Sequence, residues 1–323
     1  MKRLLLIVLP LLLIVGCSSP EPINYKKELV NKNGVWYNNH NEPYSGEVFS
    51  LYKVGVMKDE GYLKNGKEDG EWIMYKWGQK VAEGEYKNGK EDGEWTFFED
   101  DSPYHMTGKG FFKDGNQVGK WTGWYENGQK EEERTYKDGK KDGLWTSWYE
   151  NGQKKEETTY KDGKEDGLQT VWDENGQKNE EGTYKDGKKD GVYTYYDENG
   201  QKKEEGTYKD GKEDGLQTVW YENGQKKEEG TYKDGKKDGL WTEWYENGQK
   251  KEEGTYKDGK EDGLQTVWYE NGQKNEEGTF KDGKKDGVYT NWYRNGQKRM
   301  ETTYKDGKYI SRKWNEKDGS VKE

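Results

Sequence analysis

Cysteine, histidine and proline are scarce in this chain of 323 residues, which contains one, two and five of them, respectively. A single cysteine excludes an intramolecular disulfide and a metal cluster held by several thiolates. The two histidines, His40 and His105, lie in polar segments, and no nucleophile and orienting group can be assigned to either. We therefore predict a protein that is not an enzyme and that has no catalytic residues, metal or cofactor.

Aliphatic residues are also scarce. Hydrophobic residues make up 28% of the chain and charged residues 37%, so a thick aliphatic core is excluded. Aromatic residues nevertheless reach 15%, with 15 Trp and 26 Tyr. Because each ring can bury a large area, this composition indicates segments that share a thin aromatic layer.

The formal net charge is −10, and lysine and glutamate are finely mixed along the chain. A protein that binds nucleic acid needs a basic stripe to neutralise phosphates, and this chain has none. We therefore exclude nucleic acid as a partner.

The first residues have the layout of a signal peptide, with Lys2 and Arg3 before an apolar run from 4 to 15. This run is too short for the roughly 20 residues of a membrane-spanning helix. We predict a signal peptide over residues 1–16.

The end of that peptide, Ile14-Val15-Gly16-Cys17, resembles the lipobox of bacterial lipoproteins. The resemblance implies that Cys17 is acylated, as with palmitate, and that membrane lipid is one partner. Ser18, which stands where some inner-membrane lipoproteins have aspartate, favours the outer membrane of a bacterial cell envelope over an inner or single membrane. Residues 17–32, polar and with two prolines, are predicted to form the lipidated tether.

Residues 33–323 are predicted to form one array of about ten copies with a period of 24 residues. Each copy contains two turn signals, "ENGQ" and "KDGK", because Asn-Gly and Asp-Gly tolerate positive φ. The segments between them are rich in aromatic residues and threonine, as strands are. The predicted fold class is all-β, an elongated single sheet of tandem β-hairpins.

Alternation along "GLWTEWYE" places Leu240, Thr242 and Trp244 on one face of the sheet and Trp241 on the other. The first set changes little between copies, so we predict that its face packs and that the face of Trp241 meets solvent or a partner. The glycines opposite, such as Gly230, would leave room for a ring across the backbone. The predicted partner-binding row is Trp145, Tyr193, Trp241 and Tyr289.

The stretch "WYENGQKKEEGTYKDGKKDGLW" resembles the bacterial variant of the MORN-type repeat, with a likeness that covers about residues 44 to 310. It is also similar to YwqK-type proteins, which are often described as antitoxin components. The resemblance implies consecutive stacked hairpins without catalytic residues.

Three functions fit these observations. The first is a membrane-anchored repeat scaffold that presents an aromatic and charged face to a protein or glycan. The second is an antitoxin-like or immunity protein that captures a toxin at the envelope. The third is a cell-wall or choline-binding array, because aromatic hairpins can form cation–π cages.

Overall fold

The computed structural model describes residues 20–99, 102–315 and 321–322, so the predicted signal peptide and Cys17 lie outside the described residues. The described residues form 28 strands and one short helix and fall into two compact units. The first unit comprises the described residues up to Met106 together with Phe111–Asn116, and the second comprises Thr107–Gly110 and the described residues from Gln117 onward. No helix in the described part of the chain is long and apolar enough to cross a membrane. The predicted all-β fold of tandem hairpins is confirmed.

The first unit is built on successive antiparallel strands, β4 to β8, with β1 added in parallel to β4. A separate hairpin joins β2 and β3. The elements are β1 Ile23–Asn24, α1 Tyr25–Glu28, β2 Val30–Lys32, β3 Val35–Tyr37, β4 Gly46–Leu51, β5 Met57–Lys64, β6 Lys67–Lys76, β7 Gln79–Lys87 and β8 Lys90–Glu99.

The segment that begins at Ile23 is folded onto this sheet. Tyr25 and Leu29, 4% and 7% exposed, pack with Val48, Leu63 and Trp72 in the core of the unit. The Tyr25 hydroxyl also donates a hydrogen bond to Asp59 over 3.0 Å. From Ile23 onward the segment is therefore part of the fold, because Tyr25 on the one-turn helix and Leu29 directly after it anchor an otherwise polar stretch.

The second unit is a meander in which, apart from the two-residue β12, each strand from β10 onward pairs with the next, antiparallel throughout. The two-residue β12 pairs only with β11, which also pairs with β13. The strand β9, Ser102–Lys113, contains residues of both units. The remaining strands are β10 Asn116–Trp124, β11 Lys130–Lys137, β12 Lys140–Lys141, β13 Gly143–Trp148, β14 Lys154–Lys161, β15 Lys164–Trp172, β16 Lys178–Lys185, β17 Lys188–Tyr196, β18 Lys202–Lys209, β19 Lys212–Trp220, β20 Lys226–Lys233, β21 Lys236–Trp244, β22 Lys250–Lys257, β23 Lys260–Trp268, β24 Lys274–Lys281, β25 Lys284–Trp292, β26 Lys298–Lys305, β27 Lys308–Asn315 and β28 Val321–Lys322.

Two kinds of turn alternate along the second unit, and both depend on residues with positive φ. Asp258 and Gly259, with φ of 49° and 82°, form the two-residue turn between β22 and β23. At the other edge, Gly248 has φ of 81° and its N–H donates to the carbonyl of Tyr245 over 2.9 Å. This is a three-residue loop closed by a left-handed glycine. The predicted Asp-Gly and Asn-Gly turns are confirmed.

Candidate functional site: the two faces of the second unit

Three rings of the repeat, Tyr193, Trp241 and Tyr289, lie on glycine, whereas Trp145 lies beside Arg134. Trp241 stands directly opposite Gly230 on the preceding strand. A Cβ atom placed on Gly230 would lie 1.9 Å from Cε3 of the Trp241 ring. The prediction that the glycines leave room for a ring is therefore confirmed, and the ring belongs to the following strand. We call this side of the sheet the ring face; its central row is Trp145, Gln169, Tyr193, Gln217, Trp241, Gln265 and Tyr289.

Aromatic and cationic groups cover the central row. The ring centroid of Tyr232 lies 5.5 Å from that of Trp241 in an edge-on contact, and Lys237 Nζ lies 3.5 Å from the same centroid. Because Gly230 occupies one side of the ring, the ammonium lies on the side away from the sheet. Equivalent lysines lie 3.5 Å from Tyr193 and Tyr289.

The four rings predicted to bind a partner belong to this row. Tyr193 and Trp241 are only 2% and 6% exposed, and Trp145 and Tyr289 are partly buried. The four rings themselves are therefore not open to solvent, and their role in binding a partner stays a prediction. Alternation alone separates the two faces of a strand, but the burial of each face depends on the neighbouring strands.

Burial on the ring face shifts several pKa values upward. Burial, followed by the negative charges of Glu252, Glu261 and Glu243, raises the pKa of Tyr256 to about 12. Burial also raises the pKa of Glu261, and burial with the charge of Glu204 raises that of Glu213. The ring face therefore disfavours additional negative charge in its interior.

Charge alternates along the ring face in a row beside the central one. The residue four positions before each Trp or Tyr of the central row is lysine, and the one before each Gln is glutamate. Each lies directly opposite the ring of the preceding strand, as Lys237 does with Tyr232 and Glu261 with Tyr256. This charge row, readable from the sequence but not anticipated, is Lys141, Glu165, Lys189, Glu213, Lys237, Glu261 and Lys285.

The opposite side of the sheet carries exposed aliphatic residues. Leu240 is 54% exposed, whereas Thr242, two residues on and on the same face, is 5% exposed. The prediction that Leu240 packs is therefore wrong, while that for Thr242 is confirmed. We call this side the aliphatic face; its exposed row is Leu144, Leu168, Val192, Leu216, Leu240, Leu264 and Val288.

Polar groups on the aliphatic face bind to each other. The Thr242 hydroxyl donates to Glu253 over 3.4 Å, and Lys250 forms an ion pair with the same carboxylate. Lys250 Nζ also lies 5.9 Å from the ring centroid of Trp268 in the next copy. Each copy is thereby joined to the next, and the aliphatic row stands above polar groups that already have partners.

The turn edge near Asn247 is held by a second series of bonds between copies. The Tyr245 hydroxyl donates to the carbonyl of Trp268 over 2.8 Å, and the Asn247 amide donates to that of Glu270 over 3.1 Å. Asp197 occupies the tyrosine position of its own copy and binds the amides of its own turn instead. A cavity of about 440 Å³ opens there, next to Trp220.

No metal site is formed within the described ranges, where no group of three or more His, Cys, Asp or Glu residues is arranged to hold an ion. The lipidation site predicted at Cys17 lies outside those ranges. The features that the described residues offer for binding are thus the two faces and the turn edges.

The family model described as "MORN repeat variant" matches eight consecutive segments, residues 117–138, 141–162, 165–186, 189–210, 213–234, 237–258, 261–282 and 285–306. No curated protein matches the chain.

Two crystal structures, of TcdB2-TccC3-Cdc42 and of TcdB2-TccC3, overlap with 84% of the chain at 11% and 10% identity, with TM-scores of 0.18 in both cases. The chain spans only 17% of the length of either structure. An overlap with this TM-score supports no conclusion about the present chain.

Proposed function

The chain belongs to the MORN repeat variant family, and from this we propose that it is a non-enzymatic, lipid-anchored repeat scaffold that binds a protein partner through its aliphatic face. The observation that carries the proposal is the row of seven aliphatic side chains, each about half exposed, with one in each successive copy from Leu144 to Val288. The anchor at Cys17 and the position in the bacterial outer membrane are part of the same proposal.

The spacing of the aliphatic row supports a binding role. Successive members are separated by two strands, which is about 9.5 Å in a regular sheet. The aliphatic side chains form a regular row, with a threonine of the intervening strand between successive members, as Thr255 stands opposite Leu240. Exposed apolar surface that is repeated in this way fits a site where proteins interact.

The chemistry of the row favours a protein over a glycan. Leu and Val offer no hydrogen bonds, and the neighbouring threonine at 242 already donates to Glu253. A glycan is usually bound by hydrogen-bonding groups and open aromatic rings, whereas the Trp241 ring lies under Lys237 on the other face. A partner with its own apolar side chains fits the aliphatic face better.

Repetition supplies affinity where single contacts are weak. One half-exposed leucine contributes little to binding, but linked sites on one partner raise the apparent affinity by about 10² to 10⁴. This explains the retention of many copies that contain no chemistry of their own.

Site-specific photo-crosslinking in living cells tests the proposal. A photoreactive residue is placed at Leu168, Leu216 or Leu264, and at Glu213 as a matched control in the same strand as Leu216 but on the ring face. We expect the leucine positions to crosslink to one common protein and the Glu213 position not to crosslink to that protein. Identical patterns at 213 and 216, or no crosslink from any leucine position, would refute the aliphatic face as the binding surface.

The anchor is tested separately with labelled palmitate. Cells that produce the wild-type chain should incorporate the label into it, and Cys17→Ala should abolish incorporation. Equal labelling of the two chains would refute lipidation at this position and would leave the proposal for the aliphatic face unaffected.

A further inference from the structure

The charge row of the ring face forms contacts within one molecule but no ion pair: its lysines lie over aromatic rings, and Lys189 also donates a hydrogen bond to the Tyr195 hydroxyl over 2.6 Å. Its seven members alternate strictly in sign, with lysine at both ends. All seven are partly exposed, and none forms an ion pair with another residue in the described part of the chain. Neighbouring members lie two strands apart, about 9.5 Å, which is too far for direct contact between their charged groups.

The charged groups point away from the sheet. Lys189, Lys237 and Lys285 each place Nζ 3.5 Å from a ring centroid. Those rings lie on glycine backbone, so the ammonium groups form the outer layer of the face. Glu213 and Glu261 occupy the same position in their own copies, opposite Tyr208 and Tyr256.

We propose that two copies of this chain associate ring face to ring face, with the lysines of one charge row opposite the glutamates of the other. The ring face is not paired with a second layer in the described part of the second unit, and its charge pattern is complementary to itself. The partner is therefore a second copy of this chain.

The symmetry of such a dimer follows from the alternation. A two-fold axis across the row reverses the order of the members in the second copy. An axis that passes through one member brings like charges together at every position. An axis that passes between Lys189 and Glu213 pairs Lys189 with Glu213, Glu165 with Lys237, and Lys141 with Glu261. Because the interface is isologous, each pair occurs twice.

The period of the row selects the partner. A binding surface of another protein would need opposite charges at the same spacing and with the same alternation. A second copy meets both requirements automatically, because its repeats have the same length and the same twist. Charge complementarity of this kind determines the register and the choice of partner more than the affinity. We therefore expect association that weakens as the salt concentration rises.

Two variants of the full-length chain test the dimer. In one, Glu165, Glu213 and Glu261 are replaced by Lys; in the other, Lys141, Lys189, Lys237 and Lys285 are replaced by Glu. The chain already has glutamate in the lysine position beside Trp72 and Trp95, as Glu68 and Glu91, so the second variant uses a tolerated combination. Sedimentation equilibrium in a neutral detergent measures self-association of each variant and of their mixture.

We expect the wild-type chain to dimerise and each variant alone to associate more than about a hundredfold more weakly, because like charges then face each other. The mixture should form a one-to-one heterodimer as tight as the wild-type dimer or tighter. Rescue in the mixture would also show that both variants are folded.

A milder variant preserves the net charge. Exchanging Glu165 and Lys189 keeps the composition but places like charges opposite each other at two of the three pairs, 189 with 213 and 165 with 237. This variant should weaken the dimer while the circular dichroism spectrum stays that of the wild type. A wild-type chain that is monomeric at all concentrations would overturn the proposal, as would variants that associate like the wild type or a mixture without heterodimer.

Discussion

Replacing Gly230 by alanine should destabilise the second unit, whereas the same change at Gly206 should have little effect. The new methyl group at 230 would lie 1.9 Å from the Trp241 ring, and ordinary contact begins at 3.4 Å, so the ring has to move. The methyl group at 206 would lie 1.7 Å from Oε1 of Gln217, the end of a flexible side chain that can rotate away. The two positions are equivalent in the repeat and differ in the residue that covers them.

The magnitudes follow from the contacts that each change removes. Overpacking at Trp241 costs about 1–3 kcal/mol. Displacing the ring from Tyr232 costs about 0.5–1.5 kcal/mol more. Alanine in a strand regains about 0.5–1 kcal/mol over glycine, so the net loss at 230 is about 0.5–4 kcal/mol. At 206 the change removes one hydrogen bond, which Gln217 donates to the Thr207 carbonyl and which contributes about 0.5–1.5 kcal/mol. The gain of alanine over glycine nearly offsets this loss.

Hydrogen exchange measured by mass spectrometry reports the loss of stability strand by strand. This resolution is needed because the copies of such an array unfold semi-independently. Amides of β20 to β22 should exchange faster in Gly230→Ala, and those around Gly206→Ala should exchange at the wild-type rate. The double variant Gly230→Ala/Trp241→Gln should recover most of the lost stability, because it places a glutamine over position 230, as Gln217 lies over Gly206. Equal effects at 206 and 230, or no rescue by Trp241→Gln, would refute the account of rings lying on glycine.

Three further predictions concern other parts of the array. Asp197→Tyr should restore the hydroxyl-to-carbonyl bond of the other turns, fill the cavity there and stabilise the chain by about 1 kcal/mol in urea unfolding; a loss of stability would contradict this. Tyr256→Phe, a change that the chain itself contains at Phe280, should leave stability at neutral pH unchanged. Because the pKa of Tyr256 is raised from 10.0 to about 12, its contribution is present below pH 10 and lost as the pH rises through 12. The variant should therefore lose less stability than the wild type in that alkaline range, and identical pH profiles would show that Tyr256 does not titrate there. Deleting residues 136–231, four copies in register, should leave a shorter folded chain by circular dichroism, because each copy contacts mainly its neighbours; complete unfolding would contradict the nearest-neighbour view.

The sequence by itself determined the repeat, the strands and both kinds of turn. These features depend on the backbone preferences of adjacent residues, such as Asp258 and Gly259 with their positive φ. The sequence also contained the alternating charge row, in which each lysine stands four residues before an aromatic ring and each glutamate stands four residues before a glutamine. Interactions over such short distances along the chain are readable without the fold.

The tertiary structure alone decided which face is buried. Trp241 is covered because the register places it on Gly230, eleven positions earlier in the chain, and because Lys237 closes the ring from outside. Leu240 is open because its face has no such cover, although its identity hardly varies between copies. The anchoring of Tyr25 in the first core likewise depends on Trp72 and other residues far along the chain. Burial is a property of what lies across the strand and above the sheet, and alternation within one strand does not contain that information.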